Sequence, residues 1–140
     1  MNTDRSVIRV LAVDDHALLL EGIAALVNAE CDMALVAQAT SGPEALEQYR
    51  LHRPDVVLMD LQMPGMKGLD VITLLRKEFA EARIIVLTTY EGDVQVLRAL
   101  QAGAQGYLLK GHVHRELLDA IRAVHCGHKR IPPDLALLLA

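Results

Sequence analysis

Val56-Val57-Leu58-Met59-Asp60-Leu61-Gln62-Met63-Pro64-Gly65-Met66-Lys67-Gly68 is the stretch that decides the fold. An unbroken apolar run, half of it β-branched, delivers the carboxylate of Asp60, and Pro64, Gly65 and Gly68 then turn the chain away. A short apolar run bounded in this way reads as a parallel strand buried on both faces. Two more segments have the same form. Val7-Ile8-Arg9-Val10-Leu11-Ala12-Val13 ends at Asp14-Asp15, and Gly106-Tyr107-Leu108-Leu109 ends at Lys110. Acids and a lysine at the carboxyl ends of separate strands converge only if those strands lie side by side.

Outward from this stretch, strand-like runs alternate with helical patterns, the signature of βαβ units around a parallel sheet. The expected strands are Ile8 to Val13, Ala34 to Ala39, Val56 to Met59, Ile84 to Thr88 and Gly106 to Leu109. Helical stripes are expected from Leu18, Leu19, Ile23, Leu26 and Val27, from Val71, Ile72, Leu74 and Leu75, from Val94, Leu97 and Leu100, and from Leu117, Leu118, Ile121 and Val124. A shorter helix, Ala45 to Leu51, is opened by Ser41-Gly42-Pro43-Glu44, with proline in its first turn. Gly103 and Gly127 stand just past helix ends, where a left-handed residue is wanted. The fold expected is a flavodoxin-like (βα)5 doubly wound sheet in three α/β/α layers. Its strand order, 2-1-3-4-5, is taken from the known repertoire of such sheets, since periodicity alone does not order strands.

The chain has 140 residues, enough for one domain with a full core. Its hydrophobic content is 52% with only 3% aromatic, so Val, Ile, Leu, Ala and Met must build the interior, as suits strands covered by helices. No stretch has the ~20 uninterrupted apolar residues of a membrane span, and Met1 to Arg5 lacks the pattern of a signal peptide. A cytoplasmic protein with no membrane contact is expected. Cys31 and Cys126 read as unpaired thiols. A net charge of −4, with Lys and Arg scattered, leaves no basic footprint for nucleic acid. Residues 1–128 read as the domain, and 129–140, with Pro132-Pro133, as a linker, the start of a missing further domain, or a short helix packing on the first.

In an open parallel sheet, ligands bind beyond the carboxyl ends of the strands where the order reverses. That point lies between the first and third strands and gathers Asp14, Asp15 and Asp60. Ionised carboxylates so close repel one another unless a cation intervenes, and a hard, oxygen-preferring ion fits: Mg²⁺. Asp15 and Asp60 are its expected direct ligands, the Gln62 backbone carbonyl a third, and Asp14 a ligand through water. Such a site suits phosphoryl transfer to an Asp60 oxygen, with the Lys110 ammonium supplying a second positive charge. The Thr88 hydroxyl can donate to a phosphoryl oxygen, and Thr89 is small enough to leave room for the group. No general base is needed.

The set Asp14-Asp15, the run Asp60 to Gly68, Thr88, Tyr107 and Lys110 resembles the receiver domain of two-component response regulators, in order and spacing from about Val7 to Val124. Asp14-Asp15-His16, Leu87-Thr88-Thr89-Tyr90 and Ala102-Gly103-Ala104-Gln105-Gly106-Tyr107-Leu108-Leu109-Lys110 are similar in particular to the NarL/FixJ (LuxR-type) subgroup. The resemblance implies a phospho-acceptor served by a sensor histidine kinase or a small donor such as acetyl phosphate. It implies no enzyme beyond self-phosphorylation and self-dephosphorylation. Thr88 moving toward the phosphate vacates space for Tyr107, and homodimerisation follows. Transcription regulation then runs through a helix-turn-helix DNA-binding domain that is not among these residues. Gly111 departs from the proline many receivers carry there, which should change the following loop. Gln62 departs from the asparagine or smaller residue of some, which bears on hydrolysis of the acyl phosphate.

Three competing readings are weaker. A haloacid-dehalogenase-type hydrolase wants a second acid two residues after its nucleophile, where Gln62 stands. A nucleotide-binding flavodoxin-like protein wants a glycine-rich cradle after the first strand, where Asp14-Asp15-His16-Ala17 is acidic. A receiver that acts by interaction alone has no use for the complete acid set. The histidines also invite a metal site, but His112 and His114 lie about ten helical residues, roughly 15 Å, from His125, Cys126 and His128. His16 reads as a helix-start residue beside the acids.

Overall fold

The computed structural model describes residues 7–89 and 94–131, together with Pro133, Ala136 and Leu137. Tyr90 and most of the tail beyond Ile131 lie outside the described residues. The elements alternate as expected: β1 (Ile8–Val13), α1 (Ala17–Asn28), β2 (Met33–Ala39), α2 (Gly42–His52), β3 (Val56–Asp60), α3 (Gly68–Glu78), β4 (Ile84–Thr88), α4 (Val94–Gln101), β5 (Gly106–Leu109) and α5 (Val113–His125). The sheet is parallel with the order β2-β1-β3-β4-β5. β1 therefore lies beside β3 at the reversal point, as anticipated.

Alternation along the strands divides the core in two. Leu11, Val13, Val57, Met59, Ile84, Val86 and Tyr107 face one side and meet α2, α3 and α4. Val10, Ala12, Val56, Leu58, Ile85, Leu87 and Leu108 face the other and meet α1 and α5. Because both faces are covered, β3 and β4 are buried at every position, which is why they read as unbroken apolar runs. Their edges to β1 and β5 satisfy the backbone groups that burial would otherwise strand.

Several local expectations hold. Ser41 caps α2 by accepting from the Glu44 N–H at 3.3 Å, with Pro43 in the first turn. Gly103 and Gly127 have φ of +118° and +92°. α2 is longer than anticipated, running to His52 before Arg53 takes a left-handed turn at φ +46°, its guanidinium over the Phe79 ring. Lys110 to His112 form a 3-10 turn, so the Gly111 position is turned without a positive φ.

Three helical stripes need correction. Leu18 is 81% exposed and Leu20, Ile23 and Val27 carry the buried face of α1. Val94 is 60% exposed and the buried face of α4 is Val96, Ala99 and Leu100. Leu74 on α3 likewise points outward. In each case apolar residues outnumber the positions a single face can bury, so the rotation of the helix is settled by packing against the sheet.

α5 is tied to the loop after α1 by Arg122, whose guanidinium meets Asp32 through both oxygens at 2.9 and 3.0 Å and Glu30 at 2.7 Å. The hydrogen bond from Arg122, above all, holds the Asp32 carboxyl below its usual range. All three groups remain partly solvated, so Arg122→Ala is expected to cost no more than about 1 kcal/mol in urea unfolding. A depressed folded pKa means the contribution is present above the normal carboxylate pKa and lost as pH falls through the depressed value. The variant and the parent should therefore converge in stability on acidification.

Candidate functional site

Every strand-end residue named from the sequence arrives at the carboxyl edge of the sheet. β1 places Asp14 immediately after Val13, fully buried, with its N–H donating to the Ala39 carbonyl at 3.0 Å. β3 places Asp60 opposite Leu87 of β4, also fully buried. Asp15 is exposed at the rim. Ligand-capable atoms of Asp14, Asp15, His16 and Asp60 all lie within 4.8 Å of one another. Lys110, one residue beyond β5, reaches back so that its Nζ stands 3.0 Å from both Asp14 Oδ2 and Asp60 Oδ1.

These contacts are ionic more than they are hydrogen bonds. Neither is aligned for one, and Asp14 Oδ2, Asp60 Oδ2 and Lys110 Nζ are buried without a hydrogen-bond partner among the described residues. Burial pushes the Asp60 carboxyl above its usual range, helped by Asp14 and opposed by the Gln62 N–H and Lys110. Burial also pulls the Lys110 ammonium down, but the two carboxylates together outweigh it and hold the group above the usual lysine value. Burial is the largest influence on both groups, and for Lys110 the paired carboxylates overcome it.

An arrangement of buried carboxylate oxygens without donors is what a divalent cation would complete, and the all-oxygen acid set suits Mg²⁺ better than a softer metal. The imidazole is the one unlike member. His16 Nδ1 lies 2.8 Å from Asp14 Oδ1 and 3.2 Å from Asp15 Oδ1. Its position at the N-cap of α1 was legible, but its reach over both acids was not, because a side chain two residues past a strand can face either way.

The loop after Asp60 is held by its own backbone. The Gln62 N–H donates to Asp60 Oδ1 at 2.9 Å, turning the chain over the carboxylate. Gly68 opens α3 directly against this turn, where a Cβ would stand 2.2 Å from the Asp60 carbonyl oxygen and 2.9 Å from Leu61 Cα. Gly68 is thus a site residue that the sequence marked only as punctuation. Thr88 is fully buried at the end of β4. The Gln62 side chain bridges toward it, with Nε2 3.5 Å from Thr88 Oγ1 and Oε1 3.4 Å from Thr89 Oγ1. Tyr107, 8% exposed, pairs with Val86 in the next strand while Thr88 pairs with Leu109. Thr88 and Tyr107 therefore sit on neighbouring strands two residues apart in register.

Residues 10–122 match the family described as the response regulator receiver domain. The response regulator GacA of Pseudomonas viridiflava is 42% identical over 133 residues, covering 95% of this chain and 62% of that protein. The transcriptional regulatory protein LiaR of Bacillus subtilis is 38% identical over 129 residues, covering 92% of this chain and 61% of that protein. The chain thus spans about three fifths of the length of these curated relatives. The crystal structure of a two-component response regulator, LuxR family, from Aurantimonas sp. SI85-9A1 superposes with a TM-score of 0.86 at 36% identity, covering 96% of each chain.

Proposed function

Since the chain belongs to the response regulator receiver domain family, of the LuxR/NarL type, we propose that Asp60 is a phospho-acceptor whose modification switches the domain. The observation that carries this reading is the buried Asp60 carboxylate facing Asp14 and Lys110, with one oxygen held by the Gln62 N–H and the other without a donor. Asp15 and Asp60, with the Gln62 backbone carbonyl, would hold Mg²⁺, and Asp14 would do so through water. The ion supplies charge neutralisation on the transferring phosphoryl group.

In the proposed transfer an Asp60 oxygen forms a bond to phosphorus as the donor's bond breaks, and the donor's imidazole or carboxylate leaves. Lys110 neutralises a phosphoryl oxygen, moving only slightly from its seat between the two acids. The Thr88 hydroxyl donates to another, and Tyr107 follows it inward, biasing two pre-existing states. The donor is a sensor histidine kinase. Leu18, beside the site on α1, forms an apolar groove with Leu19, Leu26 and Val113 that suits a protein donor. Homodimerisation and DNA binding through a further domain are the proposed output.

The test is incubation with acetyl phosphate. One added phosphoryl group by intact mass is expected with Mg²⁺, and none with a chelator. A folded protein that takes no phosphoryl group from acetyl phosphate or from a phosphorylated kinase would favour a receiver acting by interaction alone.

A further inference from the structure

β5 is the last strand of the sheet, and an edge strand leaves one row of backbone groups to be satisfied elsewhere. The chain itself returns to that edge. After α5, the left-handed Gly127 reverses the direction, with its N–H bonded to Val124 O at 3.0 Å and the His128 N–H to Ala123 O at 2.9 Å. Arg130 then lies parallel beside Gly106. Its N–H donates to Gln105 O at 2.8 Å, and the Tyr107 N–H donates to Arg130 O at 3.2 Å. Glycine at 106 eases the approach, since a Cβ there would stand a tight 3.2 Å from both the Cβ and the carbonyl oxygen of Arg130.

Among the described residues, two further contacts accompany the backbone bonds. Ile131 packs against the half of the core that contains Tyr107, and the Arg130 guanidinium stands 3.7 Å from Glu116 on α5. Tyr107, Leu109 and His112 share with Lys129, Arg130 and Ile131 of the segment the walls of a cavity of about 500 Å³. Tyr107 is thus bonded to the returning chain through its backbone N–H and shares a cavity with it.

We infer that residues 129–131 are a latch on the β5 edge, closed in the unphosphorylated domain and released when Tyr107 moves inward. The inference rests on the phospho-switch reading above. Withdrawal of the ring removes one wall of the cavity that Ile131 also lines, and among the described residues two backbone bonds and one ion pair at 3.7 Å remain to hold the segment. Coupling of this kind is reciprocal. A released latch must favour the phosphorylated state by the same factor by which phosphorylation favours release.

The experiment is amide exchange by NMR on the 140-residue chain, with and without beryllofluoride and Mg²⁺ as the aspartyl-phosphate analogue. The Tyr107 and Arg130 amides are expected to exchange about tenfold faster with the analogue while the β1 and β3 amides stay protected. Arg130→Pro removes the N–H that Gln105 accepts, and Ile131→Asp removes the apolar contact while leaving every backbone bond in place. Both variants are expected to bind beryllofluoride about fivefold more tightly than the parent. Unchanged exchange at both amides, or unchanged affinity in both variants, would overturn the latch while leaving the phospho-acceptor reading intact. A parent that binds no beryllofluoride would instead overturn that reading and the coupling with it.

Discussion

Asp60→Asn is expected to abolish phosphoryl acceptance while leaving the fold intact and, without Mg²⁺ at neutral pH, more stable. The loss is complete because the amide oxygen is no nucleophile toward phosphorus and the neighbouring acids are held by other contacts. The gain follows from charge. Burial, with help from Asp14, raises the Asp60 pKa in the folded protein above its unfolded value. The unfolded chain therefore releases that proton more readily, so the ionised group opposes folding above its raised pKa, and the cost fades as pH falls from that value to the unfolded one. The asparagine variant has no such cost. Its advantage should be largest near neutrality, shrink on acidification, and shrink again when Mg²⁺ binds the parent alone. Each 1 kcal/mol of difference appears as roughly 4 °C in Tm for a chain of this size, which differential scanning calorimetry across pH resolves.

Gly68→Ala is expected to be the most damaging single-methyl change in the site. The added Cβ runs into the Asp60–Leu61 peptide, at 2.2 Å from the Asp60 carbonyl oxygen and 2.9 Å from Leu61 Cα, so no side chain can turn aside to admit it. Relief requires α3 to move off the end of β3, dragging the loop that holds the Asp60 carboxylate through the Gln62 N–H. A cost of about 3 kcal/mol is expected, or roughly 12 °C in Tm, with slowed phosphorylation in the protein that remains folded. Gly111→Ala makes a fair control, since a Cβ there meets nothing within 4 Å. Equal stability of the Gly68 variant and the parent would mean that the turn after Asp60 is softer than its close contact implies.

The strands and the acid cleft were legible because two physical signals coincided. Strands covered on both faces need continuous apolar sequence, and Val56 to Met59 and Ile84 to Leu87 supply it. Charged residues placed immediately after such runs can only emerge at one edge, which fixes Asp14, Asp60 and Lys110 to the same end of the sheet. The rotations of α1 and α4 were not legible. Leu18 and Val94 are as apolar as the residues that are buried, and Ala99 fills a buried position that hydropathy alone ranks low. Nor could spacing show the Arg122 pairs with Glu30 and Asp32, which close across most of the chain. The pairing of Arg130 with the β5 edge is made by backbone atoms, which every residue but proline carries on both sides, so the identity of Arg130 gives no sign of it.

The role of Asp60 is tested most directly by locating the phosphoryl group. Borohydride reduces an acyl phosphate, so treatment of the acetyl-phosphate-modified protein should convert the acceptor aspartate to homoserine, readable by peptide mass mapping. The account predicts homoserine at position 60 alone, dependent on Mg²⁺. Homoserine at Asp14 or Asp15, or a stable adduct that borohydride leaves unreduced, would contradict it.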